Sequence, residues 1–288
     1  MDITLALGGG GSKGYAHIGV IRGLENMGFN IKGIAGTSAG GLAAAVYAAG
    51  FTTVEILDMA SNIRQDNLYG LGRGPGLLGV KGIQEVMSQF LGDKTFSDLV
   101  IPCALSAVDL VLMKEVVIQE GRLIDAVMAT IAIPGIFPPR EWADLLLVDG
   151  MVLNPVPVNL ARSLVPSLPV VAVTLSPLAE ELGDISPWGR TPQNLLLRPI
   201  SKLRVAKAFE VYLRSMEMTS HKLSEVRLEL EKPEVLIRPA IWHIGAMDRV
   251  NVREVADLGE MAVELAKTSL EKLIKGQKRR RWFSREPS

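Results

Sequence analysis

The sequence predicts an α/β protein of three layers, in which a mostly parallel central sheet lies between two layers of helices. Two short apolar runs, residues 3–7 and 31–35, have the length and composition of buried strands. Each run leads through glycines into a segment with helical periodicity, and this alternation is typical of a parallel sheet. Hydrophobic residues make up 48% of the 288 residues, so the chain can bury the core that such a sheet needs.

The same signals continue along the chain as one domain, residues 1–275, without an internal repeat. Residues 15–27 form the first predicted helix, because apolar side chains recur there at helical spacing before Gly28. A basic tail that we expect to be flexible, residues 276–288, follows the domain. Further strands are predicted at residues 101–108, 115–118, 145–148, 170–175 and 235–237, and further helices at residues 42–49, 53–63, 82–91, 123–130, 200–230 and 252–274.

Residues 68–82 stand out because they contain six glycines, a proline and several leucines. This composition predicts a flexible apolar loop. Such a loop is either a lid over a binding site or a plain connector, and the sequence leaves both interpretations open.

Composition excludes several classes of function. The formal net charge is +0, which gives no electrostatic basis for nucleic-acid binding. The single cysteine, Cys103, rules out a disulfide framework within the chain and is typical of a reducing compartment. Neither a signal peptide nor an apolar run long enough to span a bilayer is evident, so the sequence predicts a cytoplasmic protein.

The second predicted strand runs into Gly36-Thr37-Ser38-Ala39-Gly40, which has the G-x-S-x-G pattern of a nucleophile elbow. The pattern is informative here because a strand precedes it and a helix follows it. Gly36 and Gly40 lack a Cβ, so strand and helix can approach closely on either side of Ser38. Ser38 would also lie at a helix N-terminus, where free N–H groups favour a developing negative charge. The alternative is an ordinary turn in which Ser38 only caps the helix.

The first predicted strand leads into a second glycine-rich motif, Gly-Gly-Gly-Ser-Lys-Gly at residues 9–14. Without side chains, the three leading glycines can direct successive backbone N–H groups at one point and stabilise an oxyanion. The motif also satisfies the dinucleotide-binding fingerprint, but that fingerprint needs an acidic residue at the end of the second strand, and none is present. Lys13 lies between Ser12 and Gly14, which does not fit a phosphate-binding P-loop either.

Two residues are candidates for the base that activates the serine. His243 follows the last predicted strand, where an α/β-hydrolase places its triad histidine. Asp149 ends an apolar strand, which would place its carboxylate at the carboxyl edge of a parallel sheet. A carboxylate in apolar surroundings has a raised pKa and can accept a proton directly from a serine. The sequence favours Asp149 over His243, and we expect His17 to pack or cap in its helix and His221 to be solvated.

These motifs, in this order, resemble those of the patatin-like phospholipase family, and especially its bacterial, neuropathy-target-esterase-like branch. That family combines a glycine-rich oxyanion loop, a G-x-S-x-G elbow and an Asp-Gly-Gly/Ala motif. The resemblance covers residues 3–177 closely and the remainder loosely. Two positions depart from the family pattern, since Met151 replaces Gly or Ala and Thr130 replaces a serine. The matching residues are Gly9, Gly10, Gly11 and Gly14 in the loop, Gly36, Ser38 and Gly40 in the elbow, and Asp149 with Gly150 in the third motif.

The resemblance implies a patatin-like fold and a serine acylhydrolase that needs no metal or organic cofactor. It implies Ser38 as the nucleophile, Asp149 as the base and the amides of residues 9–11 as the oxyanion hole. The substrate would be a phospholipid, a lysophospholipid or another fatty-acyl ester. The alternative is a regulatory member that binds acyl lipids without turnover because Met151 disturbs the dyad. The basic tail could hold the protein peripherally at the inner membrane surface, or it could simply be solvated.

Overall fold

The computed structural model describes residues 1–68, 70–71, 76–176 and 204–283. Strands and helices alternate along the first fifty residues, as the apolar periodicity predicts. The strands are β1 (Asp2–Leu7), β2 (Asn30–Thr37), β3 (Gly70–Leu71), β4 (Leu78–Gly79), β5 (Cys103–Asp109), β6 (Lys114–Ile118), β7 (Arg140–Trp142), β8 (Leu145–Asp149), β9 (Val170–Val173) and β10 (Val235–Ile237). The α-helices are α1 (Ala16–Asn26), α2 (Ala39–Ala48), α3 (Thr53–Ser61), α4 (Lys81–Leu91), α5 (Leu123–Thr130), α6 (Val158–Leu164), α7 (Arg204–Glu231), α8 (Val252–Leu265) and α9 (Lys267–Phe283).

One eight-stranded sheet organises the molecule, in the order β10-β9-β1-β2-β5-β8-β7, with β6 also paired to β5. The five neighbouring strands from β10 to β5 are parallel to one another. The pairs β5–β6, β5–β8 and β7–β8 are antiparallel. The predicted α/β class with a mostly parallel sheet is therefore confirmed.

The two faces of the sheet carry side chains of different size. The odd-numbered residues of β1 are large and pack in the main core with residues of α1, α2 and α8. On the other face, four alanines lie side by side on neighbouring strands and are buried against α6. Methyl groups leave room for that helix to pack close to the sheet. Helices therefore cover both faces, as the three-layer prediction requires. The four alanines, in strand order, are Ala172, Ala6, Ala35 and Ala104.

Two short elements, β7 and α6, are absent from the sequence-based prediction. Each is short, with three residues in β7 and seven in α6, so neither gives an extended apolar pattern. The predicted loop at residues 68–82 contains the small antiparallel hairpin of β3 and β4. Residues 69 and 72–75 of that loop lie outside the described residues.

The C-terminal part also differs in detail from the prediction. The expected helix at residues 252–274 is divided into α8 and α9 by a turn at Ala266. Beyond this turn, Leu270 of α9 is fully buried. Helix α9 continues to Phe283, so part of the predicted flexible tail is helical. Residues 200–203 of the predicted long helix and residues 284–288 of the tail lie outside the described residues.

Candidate active site

Ser38 lies between β2 and α2 in a backbone conformation that L-residues rarely adopt, with φ 55° and ψ −127°. The two glycines of the motif make this turn feasible. A Cβ on Gly36 would lie 2.3 Å from Gly40 O, and one on Gly40 would lie 2.3 Å from Leu7 O. Strand and helix thus meet backbone to backbone, and the serine is held in a strained turn. This is the geometry of a nucleophile elbow.

Thr130, the last residue of α5, holds the strained turn in place. The backbone N–H of Ser38 donates a 2.9 Å hydrogen bond to Thr130 Oγ1. Thr130 Oγ1 in turn donates a 2.6 Å bond to Ser106 O on β5. The family pattern has a serine at this position, and Thr130 supplies the same hydroxyl group. The sequence identified Thr130 only as a departure from a pattern, because its contact with Ser38 spans 92 residues.

Asp149 is the partner of the serine hydroxyl. Ser38 Oγ donates a 2.6 Å hydrogen bond to Asp149 Oδ2, and the backbone N–H of Met151 donates a 2.8 Å bond to Oδ1. The carboxyl group is fully buried, and this desolvation raises its pKa from 3.8 to about 7. The two hydrogen bonds favour the ionised form and act in the opposite direction. A group with this pKa can accept a proton near neutral pH.

Asp149 reaches the carboxyl edge of the parallel strands by a different route from the one expected. Its strand, β8, runs antiparallel to β5, and Asp149 pairs with Ala107. On the other side of β5, Ser106 pairs with Thr37, the residue before Ser38. The predicted position of Asp149 is thus correct, but the assumption of a parallel strand was wrong. Because β8 runs in the opposite direction, its last residue pairs with Ala107 of β5, which is next to the residue of β5 that pairs with Thr37.

The glycine loop lies against the elbow, but its amides are not equivalent. The N–H of Gly9 donates a 3.0 Å bond to Pro155 O, so it cannot serve as one of the three predicted oxyanion donors. The N–H groups of Gly10 and Gly11 have no acceptor within the described part of the chain. Gly9 has a steric role instead, since a Cβ there would lie 3.1 Å from Ser38 Cβ.

Two further features complete the loop. A Cβ on Gly14 would lie 2.6 Å from Ala39 Cβ, so this glycine lets the loop pack against the start of α2. The N–H of Ala39, directly after the serine, has no acceptor among the described residues either. The predicted helix after Ser38 already implied a free amide here, because the first N–H groups of a helix have no acceptor within it.

An apolar cavity of about 740 Å³ opens beside Ser38. It extends between α2, α3 and α4, and two of the segments that line it, residues 65–66 and 248–249, are polar. Gln65 joins these segments, because its side-chain amide exchanges hydrogen bonds of 2.8 and 3.0 Å with the backbone of Val250. The apolar lining includes Ile18, Leu42, Ala43, Val46, Ile56, Ala60, Ile63, Leu68, Leu78, Ile83, Val86, Met87, Phe90, Ile131, Ile133 and Phe137.

None of the three histidines contacts Ser38 Oγ, whose hydrogen bond goes to Asp149. His17 is fully buried, and its Nε2 lies 2.8 Å from Gly8 O; burial lowers its pKa to about 4. His221 is only 8% exposed, so the expectation of a solvated side chain was wrong, and burial lowers its pKa as well. His243 is exposed in a turn and packs edge-on against Trp242.

Within the described ranges, no group of three or more His, Cys, Asp or Glu side chains is arranged to hold a metal ion. No helix in these ranges has the length and apolar character that crossing a membrane would require.

Comparison with known proteins identifies relatives of the chain. A family model described as Patatin, patatin-like phospholipase, matches residues 5–162, which is more than half of the chain. An uncharacterised NTE family protein of Mycobacterium bovis is 39% identical over 159 residues, covering 54% of this chain and 44% of that protein. Patatin-like phospholipase domain-containing protein 6 of Mus musculus is 26% identical over 275 residues, covering 89% of this chain and 20% of that protein.

The fold has a counterpart among solved structures. The crystal structure of VipD from Legionella pneumophila superposes with a TM-score of 0.54 at 12% identity, covering 93% of this chain and 67% of that one. The chain spans less than half the length of the curated relatives described above. The matched region contains the glycine loop, the elbow and the Asp149 motif. The chain belongs to the patatin-like phospholipase family.

Proposed function

We propose that the protein is a serine lipid acylhydrolase that cleaves carboxylic ester bonds with a Ser38–Asp149 dyad. One observation carries the proposal, namely the 2.6 Å hydrogen bond from Ser38 Oγ to a fully buried carboxylate beside an apolar cavity. Serine hydroxyls are weak nucleophiles until a base accepts their proton, and Asp149 is positioned to do so.

In the first step, Ser38 Oγ attacks the acyl carbonyl carbon while its proton moves to Asp149 Oδ2. The carbonyl oxygen becomes an oxyanion, and we infer that the amides of Gly10, Gly11 and Ala39 stabilise it. None of these amides has an acceptor among the described residues, and this supports the assignment. The bond to the alcohol then breaks, and the departing oxygen takes the proton from Asp149.

In the second step, Asp149 accepts a proton from water, and the resulting hydroxide attacks the acyl-enzyme. A second oxyanion forms at the same amides. Its collapse releases the fatty acid, and the proton on Asp149 returns to Ser38 Oγ. The base is thus regenerated after each half-reaction.

The cavity supports a substrate with a long apolar acyl chain. Most of its lining residues are aliphatic or aromatic, and burial of each methylene group contributes about 0.8 kcal/mol. The polar groups of Asp66, Asp248 and Arg249 would face the more hydrophilic part of the substrate. We propose a phospholipid, a lysophospholipid or another fatty-acyl ester, with peripheral contact to a membrane surface.

Release of free fatty acid tests the proposal. Wild type and Ser38→Ala are compared on a short-chain p-nitrophenyl ester and on lysophosphatidylcholine, after circular dichroism has shown that both are folded. We expect turnover by wild type and none by the variant. Equal activity of the two proteins would overturn the proposal.

Two alternatives are separated by the same assay. If His243 were the base of a triad, His243→Ala would be inactive. We expect this variant to retain activity, because His243 is exposed and the hydrogen bond of Ser38 Oγ goes to Asp149. If the protein only binds acyl lipids, wild type would retain a fatty acid or phospholipid without turnover. Met151→Gly would then be expected to create activity.

A further inference from the structure

The backbone carbonyls of Asn154 and Pro155 accept hydrogen bonds from the elbow and from the glycine loop. Thr37 Oγ1, adjacent to Ser38, donates a 2.8 Å hydrogen bond to Asn154 O. The N–H of Gly9 donates a 3.0 Å bond to Pro155 O. The turn that follows Asp149 therefore fixes the positions of both the elbow and the glycine loop.

The same turn is coupled to Asp149 through Gly150. The backbone N–H of Asn154 donates a 2.8 Å bond to Gly150 O. Gly150 itself packs so closely on β5 that a Cβ would lie 2.5 Å from Ser106 O. Because these contacts are tight, a displacement of Asn154 would be transmitted to Asp149.

The side chain of Asn154 is fully buried and is anchored by Glu115 of β6. Asn154 Nδ2 donates a 2.6 Å hydrogen bond to Glu115 Oε1, and Ser106 Oγ donates a 3.1 Å bond to the same oxygen. An ionised carboxylate has no proton to donate, so the amide nitrogen must face it. A short bond to an ionised acceptor is stronger than one between neutral groups.

Arg227 of α7 balances the charge of Glu115. Its Nη2 lies 3.8 Å from Glu115 Oε2, and its Nη1 donates a 3.0 Å bond to Leu153 O, one residue before Asn154. Arg227 also pairs with Glu231 at 2.6 Å. Arg227 therefore links Glu115 to the backbone of the same turn.

We propose that Asn154, held by Glu115, is a positioning residue that sets the relative geometry of Ser38, Asp149 and the glycine loop. It touches none of the reacting atoms. The inference rests on the proposed function, since it concerns the efficiency of that reaction. Loss of the anchor leaves the cavity intact, so kcat falls by about 10- to 100-fold while KM changes little.

A reciprocal exchange of the pair provides the sharpest test. Asn154→Asp places two carboxylates against each other, and we expect kcat on the short-chain ester to fall by about 100-fold. Asn154→Asp combined with Glu115→Gln restores a hydrogen bond with its donor and acceptor exchanged. We expect this double variant to recover kcat to within about 10-fold of wild type.

A second pair of variants keeps the test decisive if Asn154→Asp does not fold. Glu115→Gln retains the acceptor oxygen for Asn154, whereas Glu115→Leu removes it. We expect the leucine variant to lose at least about 10-fold in kcat relative to the glutamine variant, at similar KM. Equal kcat in the two, or a fall that appears in KM alone, would overturn the proposal.

Two controls separate this inference from the proposed function. Ester turnover by wild type and its loss in Ser38→Ala establish the function, whatever the behaviour of Asn154. The rate at which an organophosphonate labels Ser38 gives a readout that does not depend on turnover, and it should follow kcat through the series. If both single variants are impaired and the double variant shows no recovery, the pair acts only through stability and the proposal fails.

Discussion

At the scale of single residues, two opposing effects act on the pKa of Asp149. Full burial raises its pKa to about 7, whereas hydrogen bonds from Ser38 and Met151 favour its ionised form. An aspartate with its ordinary pKa would be a much weaker base toward a serine hydroxyl. The apolar surroundings therefore contribute directly to the reactivity that we propose.

The first prediction concerns the pH dependence of turnover. Only the ionised form of Asp149 can accept the serine proton, so kcat/KM should rise with pH to a plateau, with a midpoint near the raised pKa of about 7. Initial rates with a short-chain ester between pH 5 and pH 9 would measure it. A rate that is already constant from pH 5 upward, as the ordinary aspartate pKa of 3.8 would give, would contradict this account.

The second prediction concerns stability. The pKa of Asp149 is higher in the folded state than in the unfolded chain, so folding is favoured by this group below pH 3.8 and the contribution is lost as pH rises through about 7. Asp149→Asn removes the buried charge. At pH 8 this variant should be inactive yet more stable than wild type, by on the order of a few kcal/mol. At pH 4 the two proteins should unfold at similar urea concentrations, and an equal difference at both pH values would contradict the argument.

At the scale of secondary-structure elements, α1 and α8 pack with their backbones in direct contact. A Cβ on Gly259 would lie 2.0 Å from Ala16 O, and one on Gly19 would lie 1.7 Å from Ala256 O. Two glycines, one on each helix, therefore permit this close crossing. The helix that begins after the glycine loop is thereby fixed to the C-terminal part of the chain.

The third prediction tests this crossing. Gly259→Ala should lower the free energy of unfolding by about 1–3 kcal/mol, because the methyl group forces the helices apart. Gly276→Ala is the matched control, since nothing lies within 4 Å of a Cβ there and alanine favours the helix. Urea denaturation of both variants measures the difference. A Gly259→Ala protein as stable as the control would show that the crossing tolerates a methyl group.

The elements also show what could be predicted from the sequence. Strand–turn–helix patterns are local, so the elbow at Ser38 and the apolar strand before Asp149 were visible directly. The antiparallel direction of β8 and the bond from Gly9 to Pro155 depend on pairing between distant segments, which no local pattern encodes. For the same reason, the contact of Thr130 with Ser38 could not be anticipated.

At the scale of the whole molecule, the cavity is built by segments that are far apart in the sequence. Helices α2, α3 and α4 supply most of its walls, and residues 248–249, between β10 and α8, contribute polar groups. Leu68 and Leu78, from the predicted lid or connector, also line it. Ala43 lies five residues after Ser38 on α2, which places it about 7.5 Å along the helix axis from the serine.

The fourth prediction uses this position to test the acyl site. Ala43→Phe should fill the cavity beyond Ser38 and lower kcat/KM for long-chain esters by at least about 10-fold, with a much smaller effect on a butyrate ester. Val54→Phe, at an exposed position of α3 outside the cavity, is the control and should leave the chain-length profile unchanged. A uniform loss across all chain lengths would argue against an acyl chain at this site.

The most direct test of the central claim is to identify the residue that an organophosphonate modifies, by mass spectrometry of wild type and Asp149→Asn. We predict a single adduct on Ser38 in wild type and labelling slower by about 100-fold or more in the aspartate variant, because the hydroxyl loses its base. An adduct on another residue, or labelling of Asp149→Asn at the wild-type rate, would contradict a Ser38–Asp149 dyad.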